Sequence, residues 1–305
     1  MNKKTRAKRA PRRRGCLSPL ILLIVAGISV FAVYLWLGGF GLVPDRGQAL
    51  AAGETASAHK LNILLVGSDK NEGLVDGIRA DTIIVASVDT RAKTLFLLSV
   101  PRDTYVAIPG YGEDKINAAY AYGGIDLLRQ TVGAFLHIPI DYYALLDFSG
   151  FEELIDALGG VEIDVDKRMY YQTYDALIDI EAGLQTLNGE QALQYVRFRS
   201  DTLGDIKRVS RQQILLKAVF DTFTERGLVK LPQTLIAARG ALETDISLAK
   251  LLRLALLLHQ LAPESLESAT LDGDFLTLNG ISYWRADEQA QKAMVATRFG
   301  EDGDG

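Results

Sequence analysis

Five cations, Arg197, Arg199, Lys207, Arg208 and Arg211, fall within fifteen positions of the stretch "YVRFRSDTLGDIKRVSRQQ" at 195–213, in a chain whose formal charge is −5. On a helix starting at Asp205, Arg208 lies three residues from Arg211 and four from Gln212, so all three project from one face. Cations near a helix N-terminus oppose the macrodipole. An anion there relieves the conflict, because it meets the positive helix end and guanidinium forks that bind phosphate oxygens bidentately. Arg197 and Arg199 are one residue apart, which in extended chain puts both on the same side. Like charges that close repel by ~1 kcal/mol in water and ~4 kcal/mol at a partly screened site. The bland alternative is a solvated basic edge with salt bridges to Asp201 and Asp205. Against it, the part of the chain beyond residue 43 is neutral to acidic and gives arginine no general reason to cluster.

Asp69 and Asp81 form a second constellation, one after a predicted strand and the other just before the next. Two carboxylates in one cleft suit a hard divalent cation such as Mg²⁺, which uses one or two carboxylates, keeps water and completes its shell with phosphate. The same residues also serve as plain turn formers. Signs of a covalent nucleophile are weak: there is no G-x-S-x-G elbow, "VGSD" at 66–69 has no histidine base nearby, and no P-loop occurs. His59, His137 and His259 lack ligand spacing, which argues against zinc, and Cys16 is the single cysteine, so an exported body has no internal disulfide.

The elements that must position these groups alternate in type. Apolar runs predict strands at 61–66, 82–89 and 94–100, the last two joined as a hairpin. A helix is predicted near 116–136, strained at Gly123-Gly124, then a strand at 142–147, a helix at 149–158 and a strand at 161–165. "NGEQALQYVRF" starts as a helix, and another, capped by Asp205, follows. After residue 227 the segments read as mostly helical, notably 247–261, with a strand near 266–271 and a helix at 286–298. Interleaved strands and helices predict an α/β layered domain.

The first fourteen residues hold eight Lys/Arg and no acid, which leaves −13 for the rest. Residues 17–43 carry no Asp, Glu, Lys, Arg or His and exceed the ~20 residues that a helix needs to cross a bilayer. The sequence therefore predicts a basic cytoplasmic arm at 1–19, a transmembrane helix at 20–42 and a small polar linker at 43–60. Cations before the span and no Lys until Lys60 place the N-terminus inside and the body outside the cytoplasmic membrane. A cleaved signal peptide, with "ALA" at 49–51 as processing site, is the alternative, but its apolar core runs only ~7–15 residues. The arm is too short for a DNA-binding domain, so no nucleic acid partner is expected; its cations suit anionic lipids, at ~1 kcal/mol each near the surface.

Six blocks in order, "LLVGSD" (64–69), "RADT" (79–82), "SVPRDT" (99–104), "KINAAYAYGG" (115–124), "YVRFRSD" (195–201) and "GDIKRVSRQQ" (204–213), resemble the LytR-CpsA-Psr family. That resemblance covers roughly residues 61–225. It implies a central mixed β-sheet sandwiched between α-helices, with a catalytic domain at 61–226, a helical extension at 227–299 packed on it and an acidic tail at 300–305. It further implies a phosphotransferase that moves a glycopolymer, such as a teichoic acid or capsular polysaccharide, from a polyprenyl-pyrophosphate carrier to peptidoglycan. By the same resemblance Asp69 and Asp81 would hold Mg²⁺. Arg102, Arg197, Arg199, Arg208 and Gln212 would grip the pyrophosphate, with Arg79, Lys115, Asp205 and Arg211 in or beside the site. Asp103 and Asp205 are both candidates for the base at the acceptor hydroxyl, or for partners that orient arginine. Leu251 to Leu258 or the 116–136 helix could line a lipid-tail pocket. Two rival readings stay open, a pyrophosphatase that uses water as acceptor and a non-catalytic membrane regulator or wall-binding module.

Overall fold

The first strands form where β-branched and leucine residues alternate between two covered faces. The computed structural model describes residues 59–68, 80–172, 177–198 and 204–300, of which 204–209, 227 and 228 by backbone alone. The arm, the predicted span and all of the linker but His59 and Lys60 lie outside these residues, as do Asp69, Arg79 and Arg199. Among the described residues no helix is long and apolar enough to cross a membrane.

β1 (Lys60–Ser68), β2 (Ala80–Asp89) and β3 (Thr94–Ser99) make an antiparallel meander. The hairpin of β4 (Tyr105–Ile108) and β5 (Gly112–Lys115) leads into α1 (Ala118–Leu136), which breaks at Gly123 and Gly124, the latter with φ 66°. β6 (Tyr142–Asp147) pairs parallel with β1, and α2 (Phe148–Leu158) follows, its N-terminus capped by the Asp147 carboxylate, which accepts from the Gly150 amide. β7 (Val161–Val165) pairs with β10 (Gly183–Leu187) around the inner pair β8 (Met169–Gln172) and β9 (Leu177–Ile180). Then come α3 (Gly189–Arg197) and the long α4 (Gly204–Ala241). Beyond these lie β11 (Leu242–Thr244), α5 (Leu248–His259), β12 (Leu266–Thr270), the hairpin of β13 (Gly273–Leu278) and β14 (Ile281–Ala286), and α6 (Glu288–Arg298).

The six-stranded central sheet runs β11-β6-β1-β2-β3-β12, with parallel β1/β6 and β3/β12 pairs among antiparallel neighbours, so it is mixed. Period-two alternation sends Leu64, Val66, Ile83 and Val85 to one face, where α1 packs Leu128, Val132 and Leu136 at helical spacing and Phe299 follows from α6. Ile63, Ile84, Ala86 and Val88 point to the other face, against Phe220 of α4 and Leu254 of α5. The sheet therefore lies between two helical layers, as expected. A separate core joins β7 to β10 with α2, α3 and α4 through Ile163, Met169, Leu187, Ala192 and Leu215.

Two glycines let the helices on the second face close up. A Cβ at Gly150 would stand 2.6 Å from the Ala241 carbonyl oxygen, and one at Gly189 would stand 2.3 Å from that of Glu152, so α2 meets the end of α4 and the start of α3 at backbone distance. The sequence reading missed the β4–β5 hairpin and strands β8 to β10, and it differs again late in the chain. The segment 227–299 is more than a helical extension: it supplies both edge strands of the central sheet, β11 and β12, and the β13–β14 hairpin. α4 begins at Gly204, which makes Asp205 a residue of the helix rather than its cap, and it runs on through Pro232 to Ala241.

Candidate active site

A cavity of about 560 Å³ opens on the second face of the sheet, between Leu65, Ile84, Ala144 and Leu146 of the strands and helices α2, α3 and α4. Phe148 and Phe151 of α2, Leu193 and Val196 of α3, and Leu215 and Leu216 of α4 close it. Its volume falls within the ~300–1,000 Å³ of ordinary ligand pockets. Neither the 251–258 stretch nor α1 lines it, contrary to the sequence expectation. The signal that could have found the wall is the pair Leu215 and Leu216, three and four residues after Gln212 and hence on its side of the helix.

The polar lining collects at the C-terminal ends of β1 and β6 and the start of β2, where Gly67, Asp81, Thr82 and Asp147 border the cavity. Open α/β sheets offer their ligand sites at such strand ends. From α4, Gln212 reaches across and its Nε2 donates to Thr82 Oγ1 at 3.3 Å. Arg197, the last residue of α3, lines the same rim, its guanidinium 5.0 Å from the centre of the Phe148 ring. A cation at that helix end is favoured by the macrodipole. Because Arg197 is helical, the argument that placed it beside Arg199 in extended chain does not hold at its own position.

Arg102 stands next to this rim. Its Nη1 donates to Asp81 Oδ1, while its Nε is buried with no hydrogen-bond partner among the described residues. A buried guanidinium N–H left unpaired is costly, and an incoming oxyanion would satisfy it. Asp103 accepts from Lys115, with Nζ 2.8 Å from Oδ1, and lies 3.9 Å from Arg102 Nε. The backbone carrying these groups is clamped from several sides. Asn117 N donates to Arg102 O at 3.2 Å, Ile116 N to Thr104 O at 2.8 Å, and Trp284 N of β14 to Asp103 O at 2.8 Å.

Arg211 goes elsewhere. It is buried, its Nη1 donates to Phe198 O at 2.9 Å and its guanidinium lies 5.2 Å from the Phe198 ring centre, so it joins the α3–α4 connection to α4 and does not line the cavity. Successive helical residues point ~100° apart, which separates Arg211 from Gln212 and corrects their assignment to one face. The side chains of Asp205 and Arg208, in the first turns of α4, fall outside the described residues, as do Asp69, Arg79 and Arg199 altogether. Structure thus brings Asp81, Arg102, Asp103, Lys115, Arg197 and Gln212 to one end of the sheet. Sequence reasoning missed Thr82 as the rim partner of Gln212.

Among the described residues no group of three or more His, Cys, Asp or Glu could hold a metal. Asp81, a rim carboxylate that shares its charge with an arginine, would suit a cation that takes few protein ligands and keeps water and phosphate oxygens. That is the habit of Mg²⁺.

Residues 45–299 match the LytR_cpsA_psr family, most of the chain. The chain belongs to that family. Among its relatives is the probable cell wall biosynthesis protein LcpB of Corynebacterium glutamicum, 39% identical over 233 residues, which cover 72% of this chain and 55% of LcpB. The chain thus spans little more than half the length of that relative. The polyisoprenyl-teichoic acid–peptidoglycan teichoic acid transferase TagU of Enterococcus faecalis is 37% identical over 232 residues, 75% of either chain. The crystal structure of B. subtilis TagV superimposes with a TM-score of 0.70 at 32% identity, over 78% of this chain and 95% of TagV.

Proposed function

We propose that this protein is an extracytoplasmic phosphotransferase that moves a glycopolymer from a polyprenyl-pyrophosphate carrier onto peptidoglycan, leaving a phosphodiester. One observation carries the reading: an apolar cavity whose mouth ends on Arg197, Gln212 and the Asp81–Arg102 pair. The carrier's hydrocarbon chain fills the cavity, and its pyrophosphate stops at the rim. The name of TagU and the family of the chain support the same reaction class. The basic arm and span at 1–42 anchor the chain in the cytoplasmic membrane with the N-terminus inside, the arm lying on anionic lipids.

The head group is held by arginine forks, each charge-assisted hydrogen bond contributing ~1.5–3 kcal/mol. Arg102 offers its Nε, unpartnered among the described residues, and Arg197 its exposed guanidinium, with Arg79, Arg199 and Arg208 as further candidates. Asp81, together with Asp69, would hold Mg²⁺, which when bound supplies charge neutralisation at the phosphate oxygens. Lys115 and Asp103 fix each other and thereby the position of Arg102. The acceptor hydroxyl oxygen forms a bond to the phosphorus that bears the glycan, and the bond from that phosphorus to the bridging oxygen breaks. Negative charge grows on the departing polyprenyl phosphate, where Arg102 and Arg197 stabilise it, and the hydroxyl proton leaves to solvent or to the released phosphate.

The test uses the purified full chain with a polyprenyl-pyrophosphate-linked glycan and peptidoglycan oligomers, with products read by mass spectrometry. A phosphodiester-joined conjugate is the expected product. Free phosphorylated glycan with none joined would identify a pyrophosphatase instead. Donor recovered intact would overturn the reading.

A further inference from the structure

The cavity and rim account for a lipid and its diphosphate, yet the same segment of chain also faces a second surface. Beyond Arg102, among residues that do not line the cavity, the β4–β5 and β13–β14 hairpins meet. Tyr105 and Tyr283 pack edge to face, ring centres 5.0 Å apart. Lys115 Nζ lies 5.6 Å from the centre of the Tyr283 ring while it bonds Asp103 at 2.8 Å. The Tyr105 hydroxyl donates to Glu113 Oε2 at 2.7 Å, and that bond holds the phenol pKa above its ordinary value. Both tyrosine rings are half-buried, whereas Glu113 and, on β14, Arg285 are exposed.

Strand alternation explains this gathering. Tyr105 is opposite Lys115 in the β4–β5 register, and Glu113, two residues from Lys115, shares its face. On β14, Tyr283 and Arg285 share a face, and Trp284 on the opposite one anchors the hairpin: its amide reaches Asp103 O, and its indole Nε1 donates to Leu271 O at 3.2 Å. Contacts run without a break from the cavity mouth to this ledge, through Asp81, Arg102, Asp103 and Lys115 to Tyr283.

The chemistry selects an occupant. A hydrocarbon would leave Glu113, Asp103 and Lys115 desolvated, and a polyanion would meet two carboxylates. A pyranose ring has an apolar C–H face to lay on an aromatic ring and a rim of hydroxyls to donate to carboxylates and accept from an ammonium. We propose that the ledge formed by Tyr105, Glu113, Lys115 and Tyr283 is the binding subsite for the acceptor saccharide, which delivers its hydroxyl to the rim from the side opposite the lipid cavity. This rests on the transferase reading above and deepens it, because it separates an acceptor surface from the donor cavity.

The experiment titrates the purified full chain with chitotetraose, a soluble β-1,4-linked N-acetylglucosamine oligomer, by calorimetry, and with a polyprenyl pyrophosphate in parallel. Wild type binds the saccharide, Tyr283→Ala weakens that binding by about tenfold, and Tyr283→Phe, which keeps the ring, stays within about twofold. Lipid binding is unchanged in both variants. Absence of saccharide binding by the wild type overturns the proposal. So does equal binding by Tyr283→Ala, or a loss in Tyr283→Phe as large as in the alanine variant. If Tyr283→Ala folds poorly, exposed Glu113→Ala carries the test with an expected weakening of about threefold, and wild-type affinity there overturns the proposal. The two readings fail separately. A chain that binds both ligands at these places but never joins them refutes the transferase alone. One that joins them, with acceptor KM unmoved by Tyr283→Ala, refutes the ledge alone.

Discussion

The two faces of the central sheet are built from alternate residues of the same strands, yet one is filled and the other is left partly open. Beneath α1, Leu64, Ile83, Val85 and Leu128 are almost completely buried and packed on one another. On the opposite face, Leu65, Ile84, Ala144 and Leu146 border about 560 Å³ of cavity. The difference lies in what covers them. α1 crosses its face directly, whereas on the other side α2 is held against α3 and against the end of α4 by glycine contacts, and the cavity lies between these helices and the strands. An apolar face left uncovered by side chains is costly to expose, and its persistence supports the proposed apolar ligand.

Truncation separates the faces most sharply. Leu128→Ala, in the filled layer, is expected to cost about 2–5 kcal/mol of stability, while Leu216→Ala at the cavity wall costs less than half of that, because space already adjoins it. Chemical denaturation of both variants measures the contrast, and equal losses would break it. Next in size is Arg102→Ala, expected to lower transfer by about 10²–10³-fold with the thermal midpoint held within a few degrees; full activity would remove the rim from the mechanism. Filling the open face with Ala144→Phe is expected to weaken long-chain donor binding by about tenfold and leave a short-chain donor nearly unaffected, since only the tail competes for that space. Gln212→Ala loses one bond to Thr82 and is expected to reduce transfer about five- to tenfold, corresponding to ~1 kcal/mol.

The smallest effect is electrostatic. Burial, then Glu190 and Asp156, raise the pKa of Glu152 in α2 above its ordinary 4.5, with Arg197 opposing. Between the unfolded and the higher folded value the native state binds more protons, so this group's contribution to stability falls as pH rises through that window and stays lost above it. Glu152→Gln should therefore melt slightly above wild type at neutral pH, with the gap closing below about pH 4. A gap that widens in acid would reverse the assignment.

Much of the frame was legible because it rests on local periodicity. The strands at 142–147 and 161–165 follow from apolar alternation, and the break at Gly123-Gly124 from helix propensity. The hairpin β13–β14 was overlooked although Asn279-Gly280, both at positive φ, is the usual two-residue hairpin turn: "GDFLTLNGISYWRA" has mixed polarity on both faces, which hid the strands, and Trp284 becomes an anchor only when Asp103 and Leu271 stand opposite it. The cavity wall escaped for a similar reason, since an apolar stripe such as that of α4 looks the same whether it meets side chains or empty space.

By itself, the sequence determined the alternating strands and helices, the clustered arginines and their family, because these depend on residue type at fixed spacing. Tertiary structure alone decided which charges face the rim. Arg211 and Gln212 are neighbours in sequence, yet the helical turn of ~100° sends one to Phe198 and the other to the cavity. It also decided that Tyr105 and Tyr283, far apart in the chain, share one ledge, since only the pairing of β14 with the Asp103 segment brings them together.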